Sequence, residues 1–281
     1  MTGTVLITGA SRGIGEACAL RLVRSGRRVF AGVRDAAHGD ALQRAGGPGI
    51  TPVRLDVTDA TSIEAAQALV AEQVGARGLD ALVNNAGIAV GGPLELLTAD
   101  DLRQQLEVNV VGQQAVTRAF LPLLRRAHGR IVFMSSIAGR SALPIMGAYG
   151  ASKHALEAMA DALRVELRPW DIAVTLIEPA VIATEIWDRS ISATQARLER
   201  VDPAALERYG RVIDAVRRRA ERGMGGLPPD DVARAVERAL TARHPRARYI
   251  LGRGARTRIL LETLLPTRLR DRIVARALEK L

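Results

Sequence analysis

The sequence predicts an α/β fold: a doubly wound, mostly parallel sheet of seven strands, with a helical lid between the sixth and seventh strands and a C-terminal helical extension. Three observations carry this. Short apolar runs alternate with longer helical patterns from the first residues to about residue 180. Runs such as Val5-Leu6-Ile7 and Ile131-Val132-Phe133 are apolar throughout, as strands of a parallel sheet covered on both faces must be. No repeat or low-complexity linker interrupts the alternation, so right-handed crossovers can place every strand in one sheet.

Taken in order, strands are expected at 3–8, 28–33, 50–55, 80–84, 130–135, 172–178 and 247–251, with helices between them. From about Val181 to Gly226 the chain turns polar and arginine-rich, broken by Pro203 and by Gly223-Met224-Gly225-Gly226. Lying between strands six and seven, this stretch is expected to project from the carboxyl edge of the sheet as a lid. Residues 1–254 are therefore expected to form one domain, lid included. Residues 255–281 follow as a basic amphipathic extension, with Ile259, Leu260, Leu264 and Leu265 before Pro266 and Leu269, Ile273, Val274 and Leu278 after it.

Composition narrows the function. Of 281 residues, 48% are hydrophobic and 25% charged, as in a soluble globular protein. The single cysteine, Cys18, precludes an internal disulfide and is expected to be a small buried apolar residue on the first helix. Thr4 to Thr8 runs into a glycine turn without a basic leader, and no apolar run is long enough to span a bilayer; a cytoplasmic protein is expected. The net charge of +10 is concentrated at the end: residues 243–281 hold eleven Lys/Arg and three Asp/Glu, which leaves only +2 for the rest. Without interleaved aromatics or a base-reading motif, nucleic acid is not expected as a partner.

The first strand ends in Thr8-Gly9-Ala10-Ser11-Arg12-Gly13-Ile14-Gly15 and a helix follows at once. Glycines there allow a tight reversal and close approach of backbone to a pyrophosphate, while the helix N-terminus offers free N–H groups and a positive dipole end. Gly9, Ser11, Arg12, Gly13, Ile14 and Gly15 are assigned to a nicotinamide dinucleotide. The second strand ends Phe30-Ala31-Gly32-Val33-Arg34-Asp35, with Val33 where a carboxylate would meet a ribose hydroxyl and Arg34 just after it. Two guanidiniums, Arg12 and Arg34, favour a 2′-phosphate, so NADP is expected over NAD, although a strand end displaced by one residue would bring Asp35 into play.

Tyr149 and Lys153, one of only two lysines beside 38 arginines, lie four residues apart on one face of a predicted helix. A nearby ammonium stabilises phenolate, so Lys153 is expected to lower the Tyr149 pKa toward the range useful for proton transfer. Thirteen residues upstream, Ser136 ends the fifth strand, where its hydroxyl can donate to a carbonyl oxygen that becomes an alkoxide.

With these residues in place, the chain resembles the short-chain dehydrogenase/reductase family in its single-domain, Rossmann-like form. The matching motifs are Thr8-Gly-x-x-x-Gly-Ile-Gly15, Asp56, Asn84-Asn-Ala-Gly87, Asn109, Ser136 and Tyr149-x-x-x-Lys153. The resemblance implies a catalytic tetrad of Asn109, Ser136, Tyr149 and Lys153. Tyrosine would exchange the proton, serine position the carbonyl, lysine also hold the nicotinamide ribose, and asparagine anchor a water. It further implies Asp56 and Val57 beside the adenine, Asn85, Ala86 and Gly87 along the cofactor, and Pro179 and Thr184 near the carboxamide. Where the family has Pro-Gly after the sixth strand, this chain has Pro179-Ala180.

Leu143, Met146, Val181, Ile186 and Trp187 are candidate substrate contacts, and their apolar character suits a lipophilic ketone or secondary alcohol. The resemblance implies a homodimer or homotetramer. The basic tail has three readings: a cover over the lid or a neighbouring subunit, a weak contact with an anionic membrane surface, or nonspecific attraction to polyanions. No metal is expected. The competing reading is a dinucleotide-binding regulator or scaffold of the same fold without turnover, which would have no need of Tyr149 and Lys153 together.

Overall fold

Seven parallel strands lie in the order β3-β2-β1-β4-β5-β6-β7 in the computed structural model, which describes residues 3–182, 194–199, 201–222 and 226–279. They are β1 (Thr4–Ile7), β2 (Arg28–Val33), β3 (Ile50–Arg54), β4 (Ala81–Asn84), β5 (Arg130–Met134), β6 (Ala173–Pro179) and β7 (Arg248–Leu251), each within a residue or two of its expected place. Every pairing is parallel, so all strands present their carboxyl ends to one edge. The strand order reverses between β1 and β4, which is where an open α/β sheet forms its ligand crevice.

Two apolar layers follow from the apolar strands. On one face, α1 (Gly13–Arg24) and α2 (Ala36–Gly46) are joined late in the chain by α8 (Pro229–Thr241). Cys18, Leu22, Val232 and Val236 pack there against Val5, Ile7 and Ala31. Arg21 clamps α1 to α8 through Glu237 at 2.7 Å and Asp230 at 2.9 Å. On the other face lie α3 (Ala60–Val74), α5 (Gly112–Ala127) and α6 (Gly147–Glu166), which bury Val70, Phe120, Leu124 and Leu156 over Leu6, Phe30 and Phe133. Asp35 caps α2 and Asp59 caps α3, while α4 (Ala99–Leu106) opens with a reciprocal Thr98/Asp101 capping box.

Within the region expected to form a lid, the described residues include a helical turn at 194–198 and α7 (Pro203–Arg222). This segment is tied to the chain after β4: Arg197 pairs with Asp101 of α4 at 2.5 Å, and the Tyr209 hydroxyl bonds to Glu95. The C-terminal extension forms α9 (Ala255–Leu264) and α10 (Thr267–Glu279), and α10 packs against α7. Leu260, Leu264 and Leu269 remain exposed on it. No helix among the described residues is long and apolar enough to cross a membrane, and none of their side chains cluster as metal ligands.

Candidate active site

The glycine turn is shaped by backbone demands that side chains cannot meet. Gly9 and Gly13 adopt φ of 63° and 57°, conformations that L-residues rarely take. A Cβ on Gly15 would lie 2.3 Å from the Gly9 carbonyl oxygen, so the start of α1 can press against the turn only because nothing is there. Arg12, the N-cap of α1, makes no side-chain capping bond, and Ser11 and Ile14 sit half-buried beside it. The helix therefore offers its first N–H groups to a ligand, and the residues present fit a pyrophosphate.

Thr8 and Asn85 hold the turn in this shape. The Thr8 hydroxyl accepts from the backbone N–H groups of Asn85 and Ala86, each at 2.9 Å. The Asn85 amide donates to the carbonyls of Thr8 and Gly9 at 2.9 and 3.0 Å. The side chain of Asn85, expected along the cofactor, is thus engaged in knitting β4 to the turn. Gln113 fixes the next residue by donating to the Ala86 carbonyl at 2.8 Å.

At the end of β2, the strand stops at Val33 as expected and Arg34 is exposed. Asp35 turns away to cap α2, its carboxylate accepting from the Ala37 N–H at 2.9 Å and lying 3.3 Å from His38. Just past the end of the neighbouring β3, Asp56 is partly buried, which opposes its ionisation. Hydrogen bonds from the Thr58 N–H and hydroxyl, together with the charge of Arg34, nevertheless hold it below the usual carboxylate range. Val57 is buried, its carbonyl facing the start of α5 at Gly112.

The reactive residues converge at the carboxyl end of β5. Ser136 and Tyr149 are both nearly buried, and the two hydroxyls are hydrogen-bonded to each other. Ser136 also accepts from the Ala138 N–H at 3.1 Å and approaches the Pro179 carbonyl at 3.4 Å. Lys153 stands one turn along α6 with Nζ 5.7 Å from the centre of the tyrosine ring, but it donates to the Met134 carbonyl at 2.7 Å.

Here one expectation is corrected. Burial pushes the Tyr149 phenol up to about 12, against a lowering by the Ser136 hydrogen bond; Lys153 does not acidify it in this arrangement. Burial likewise brings Lys153 down to about 8, against the opposing pull of Glu157. Both groups are shielded from water, and desolvation is the largest influence on each.

Asn109 lies in a π-helical turn, Glu107–Val111, between α4 and α5. Its carboxamide pairs with the backbone of Ile88, accepting at 2.9 Å and donating at 3.0 Å, and it also donates to Ser152 at 3.1 Å. Ser152 in turn donates to the Tyr149 carbonyl at 2.7 Å, which links the asparagine to the first turn of α6. A Cβ on Gly87 would stand 3.3 Å from the Asn109 carboxamide oxygen, so that glycine lies directly over it. Sequence reasoning missed Gln105, which repeats the pattern four residues earlier: it accepts from the Val90 N–H at 2.7 Å and donates to the Ile88 carbonyl at 3.0 Å. Its position one helical turn before Asn109 was the available signal.

A second group unforeseen in the sequence lies behind Lys153. Glu157 accepts from Ser135 at 2.5 Å and from Arg248 Nε at 3.1 Å. Glu178, fully buried on β6, lies 3.0 Å from the same Nε, whose single proton is aimed at Glu157. With neither oxygen hydrogen-bonded and Glu157 nearby, Glu178 is raised to about 7, chiefly by burial. His154 is exposed on another face of α6.

Among the proposed substrate contacts, Leu143 and Met146 line a cleft under the C-terminal helices. Val181 lies outside that cleft and is half exposed; its carbonyl accepts from the Leu227 N–H and its neighbour Ile182 bridges to Leu227. Thr184, Ile186 and Trp187 lie outside the described residues. Ala180 is not among the described residues with positive φ, so it has no need of the glycine found in the family pattern.

Comparison with known proteins gives consistent results. The family model described as short chain dehydrogenase matches residues 3–195. Human retinol dehydrogenase 5 is 38% identical over 283 residues, covering 98% of this chain and 89% of its own. The NADPH-dependent 3-dehydrocapnine reductase of Ornithobacterium rhinotracheale is 33% identical over 284 residues, covering 98% and 97%. Among solved structures, a short chain dehydrogenase from Burkholderia cenocepacia J2315 in complex with NADP matches with a TM-score of 0.74 at 26% identity, covering 98% of this chain and 97% of its own.

Proposed function

The chain belongs to the short chain dehydrogenase family, and from that membership we propose that it interconverts a ketone and a secondary alcohol on a lipophilic substrate, using NADP(H). One observation carries the reading: the Ser136 and Tyr149 hydroxyls meet beside Lys153 at the same sheet edge as the glycine turn. When bound, the nicotinamide would supply or accept the hydride.

The chain's own residues supply the rest. A carbonyl oxygen placed between the two hydroxyls accepts from both, and the charge that develops on it is stabilised by donors already fixed in position. Tyr149, raised to about 12, is protonated at neutral pH, which is the form that donates a proton to a ketone oxygen during reduction. Ser136 is oriented by the Ala138 N–H. The Asn109–Ser152 link holds the first turn of α6, and with it the phenol, at a fixed height over the sheet.

Selection of NADP over NAD is supported by Arg34 at the end of β2 and by the capping role of Asp35, which withdraws the nearest carboxylate from a 2′-phosphate. The apolar cleft beside Met146 supports a lipophilic substrate. The test is consumption of NADPH and of NADH with a panel of ketones, wild type against Tyr149→Phe. The expected outcome is a lower KM for NADPH and a loss of about 10²-fold or more in kcat for the variant. Equal rates for the two proteins would remove Tyr149 from catalysis, and a lower KM for NADH would overturn the cofactor assignment.

A further inference from the structure

The outer border of the sheet carries a groove that the proposed reaction does not use. It holds about 520 Å³ between α8, β7 and the start of α9, a volume ordinary for ligand pockets. Arg234, Arg238, Arg246, Arg248 and Arg256, with His244, stand around it. Leu227, Tyr249 and Leu251 give it a half-buried apolar lining. β7 is the last strand in the sheet order, three places from β4, so the groove is separate from the crevice between β1 and β4.

The cations around it are not balanced locally. Of the acids on α8, Asp230 and Glu237 are engaged by Arg21 of α1, and Asp231 pairs with Arg234. Arg248 is turned inward to Glu157 and Asp161. Among the described residues no carboxylate pairs with Arg238, Arg246 or Arg256, and all three are exposed. Arg234 and Arg238 stand one turn apart on α8, the spacing at which like charges repel. Nor is Arg238 needed at the C-terminal end of α8, because Arg27 and Arg130 already donate to the carbonyls of Ala239, Leu240 and Ala242.

Backbone groups add to the positive field. α9 opens at Gly254, which has no side chain to cap it, and Gly252 and Arg256 on either side line the groove, so the positive end of the helix lies there. Ala247 and Leu251 give their carbonyls to β6, which leaves the N–H groups of Arg248 and Ile250, out of phase with them, on the open side of the edge strand.

We infer that this groove is a binding site for a soluble phosphate-bearing anion. Guanidiniums hold phosphate oxygens through paired, charge-assisted hydrogen bonds, and three of them stand here without another partner among the described residues. The concave shape suits a small molecule better than a flat lipid surface, and a second copy laid along β7 would bring two rims of like charge together.

The experiment titrates inorganic tripolyphosphate into the full chain by calorimetry, with NADPH in excess to fill the crevice at the glycine turn. Wild type is compared with the double variant Arg238→Gln/Arg246→Gln and with a control of equal charge, Arg268→Gln/Arg272→Gln on α10; all four positions are exposed, so folding is retained. The groove variant is expected to bind about tenfold or more weakly, and the control to bind as wild type does. Equal weakening in both would reduce the effect to the overall charge of the chain and overturn the inference. So would wild type that ignores tripolyphosphate, whether or not the groove arginines then prove to hold phosphatidylglycerol vesicles in a sedimentation assay or to govern self-association.

Discussion

Lys153 shows how far a single residue's role can be read before its surroundings are known. Rarity and spacing single it out, and the structure sets it beside Tyr149, but the pKa of each group is set chiefly by burial, which a sequence does not display. A lysine lowered to about 8 carries its charge below that pH and loses it as pH rises through it. Tyr149 stays protonated over the same range. The kcat/KM for ketone reduction is therefore expected to fall above about pH 8, by about tenfold per pH unit at the limit, without the phenol titrating. In Lys153→Arg, whose guanidinium stays charged, residual activity should lack this limb. A pH–rate profile of both proteins checks it, and an unchanged limb in the variant would assign the titration elsewhere. Asn109, Ser136, Tyr149 and Lys153 were legible because their types and spacing form a pattern. Glu178 was not, since nothing in the sequence distinguishes a carboxylate facing a reactive helix from one facing water, and Gln105 had only its place one helical turn before Asn109 to mark it.

Elements were legible in proportion to how local their causes are. All seven strands lie within a residue or two of their expected bounds, because uniform apolar runs ending in turn residues have few alternatives. The glycine turn was equally plain, and its steric reason can be tested at one atom. Gly15→Ala puts a methyl 2.3 Å from the Gly9 carbonyl oxygen and 2.6 Å from the Asn85 amide, so turn and helix must part. The variant is expected to lose NADPH affinity by about tenfold or more and to melt at a lower temperature, as backbone overpacking costs about 1–3 kcal/mol. Titration of NADPH fluorescence and a melting curve measure both; unchanged affinity would show that the turn tolerates the methyl. The C-terminal helices were less legible. Their amphipathic spacing announced an apolar face but not what it would cover, and the contact with the Ser136–Tyr149 loop spans more than a hundred residues of chain.

The whole molecule gathers its chemistry at the carboxyl edge of the sheet and carries a buried acidic group just behind it. Glu178 and Glu157 share Arg248 in the interior, with Asp161 and Arg140 completing the set. Glu178 has a folded-state pKa raised to about 7 from 4.5, so the folded chain binds more protons than the unfolded one between these values. Stability contributed by protonated Glu178 is present below about pH 4.5 and is lost as pH rises toward 7. Glu178→Gln is expected to melt higher than wild type at pH 8 and to show a flatter dependence of melting temperature on pH between about 5 and 7. Arg248 keeps Glu157 and Asp161 as partners in the variant. Parallel curves for the two proteins would place the titration in another group.

The one thiol in the chain lies sealed on the inner face of α1, fully buried and pushed up to about 12 by burial and by Asp230, against a smaller pull from Arg21. Maleimides and iodoacetamides need a thiolate within reach of solvent, and Cys18 offers neither. The wild-type protein is consequently a ready background for site-directed labelling: a single cysteine introduced at Leu260 or Leu264 would take a fluorophore alone, and report how the outer surface of the extension behaves while the native thiol stays silent.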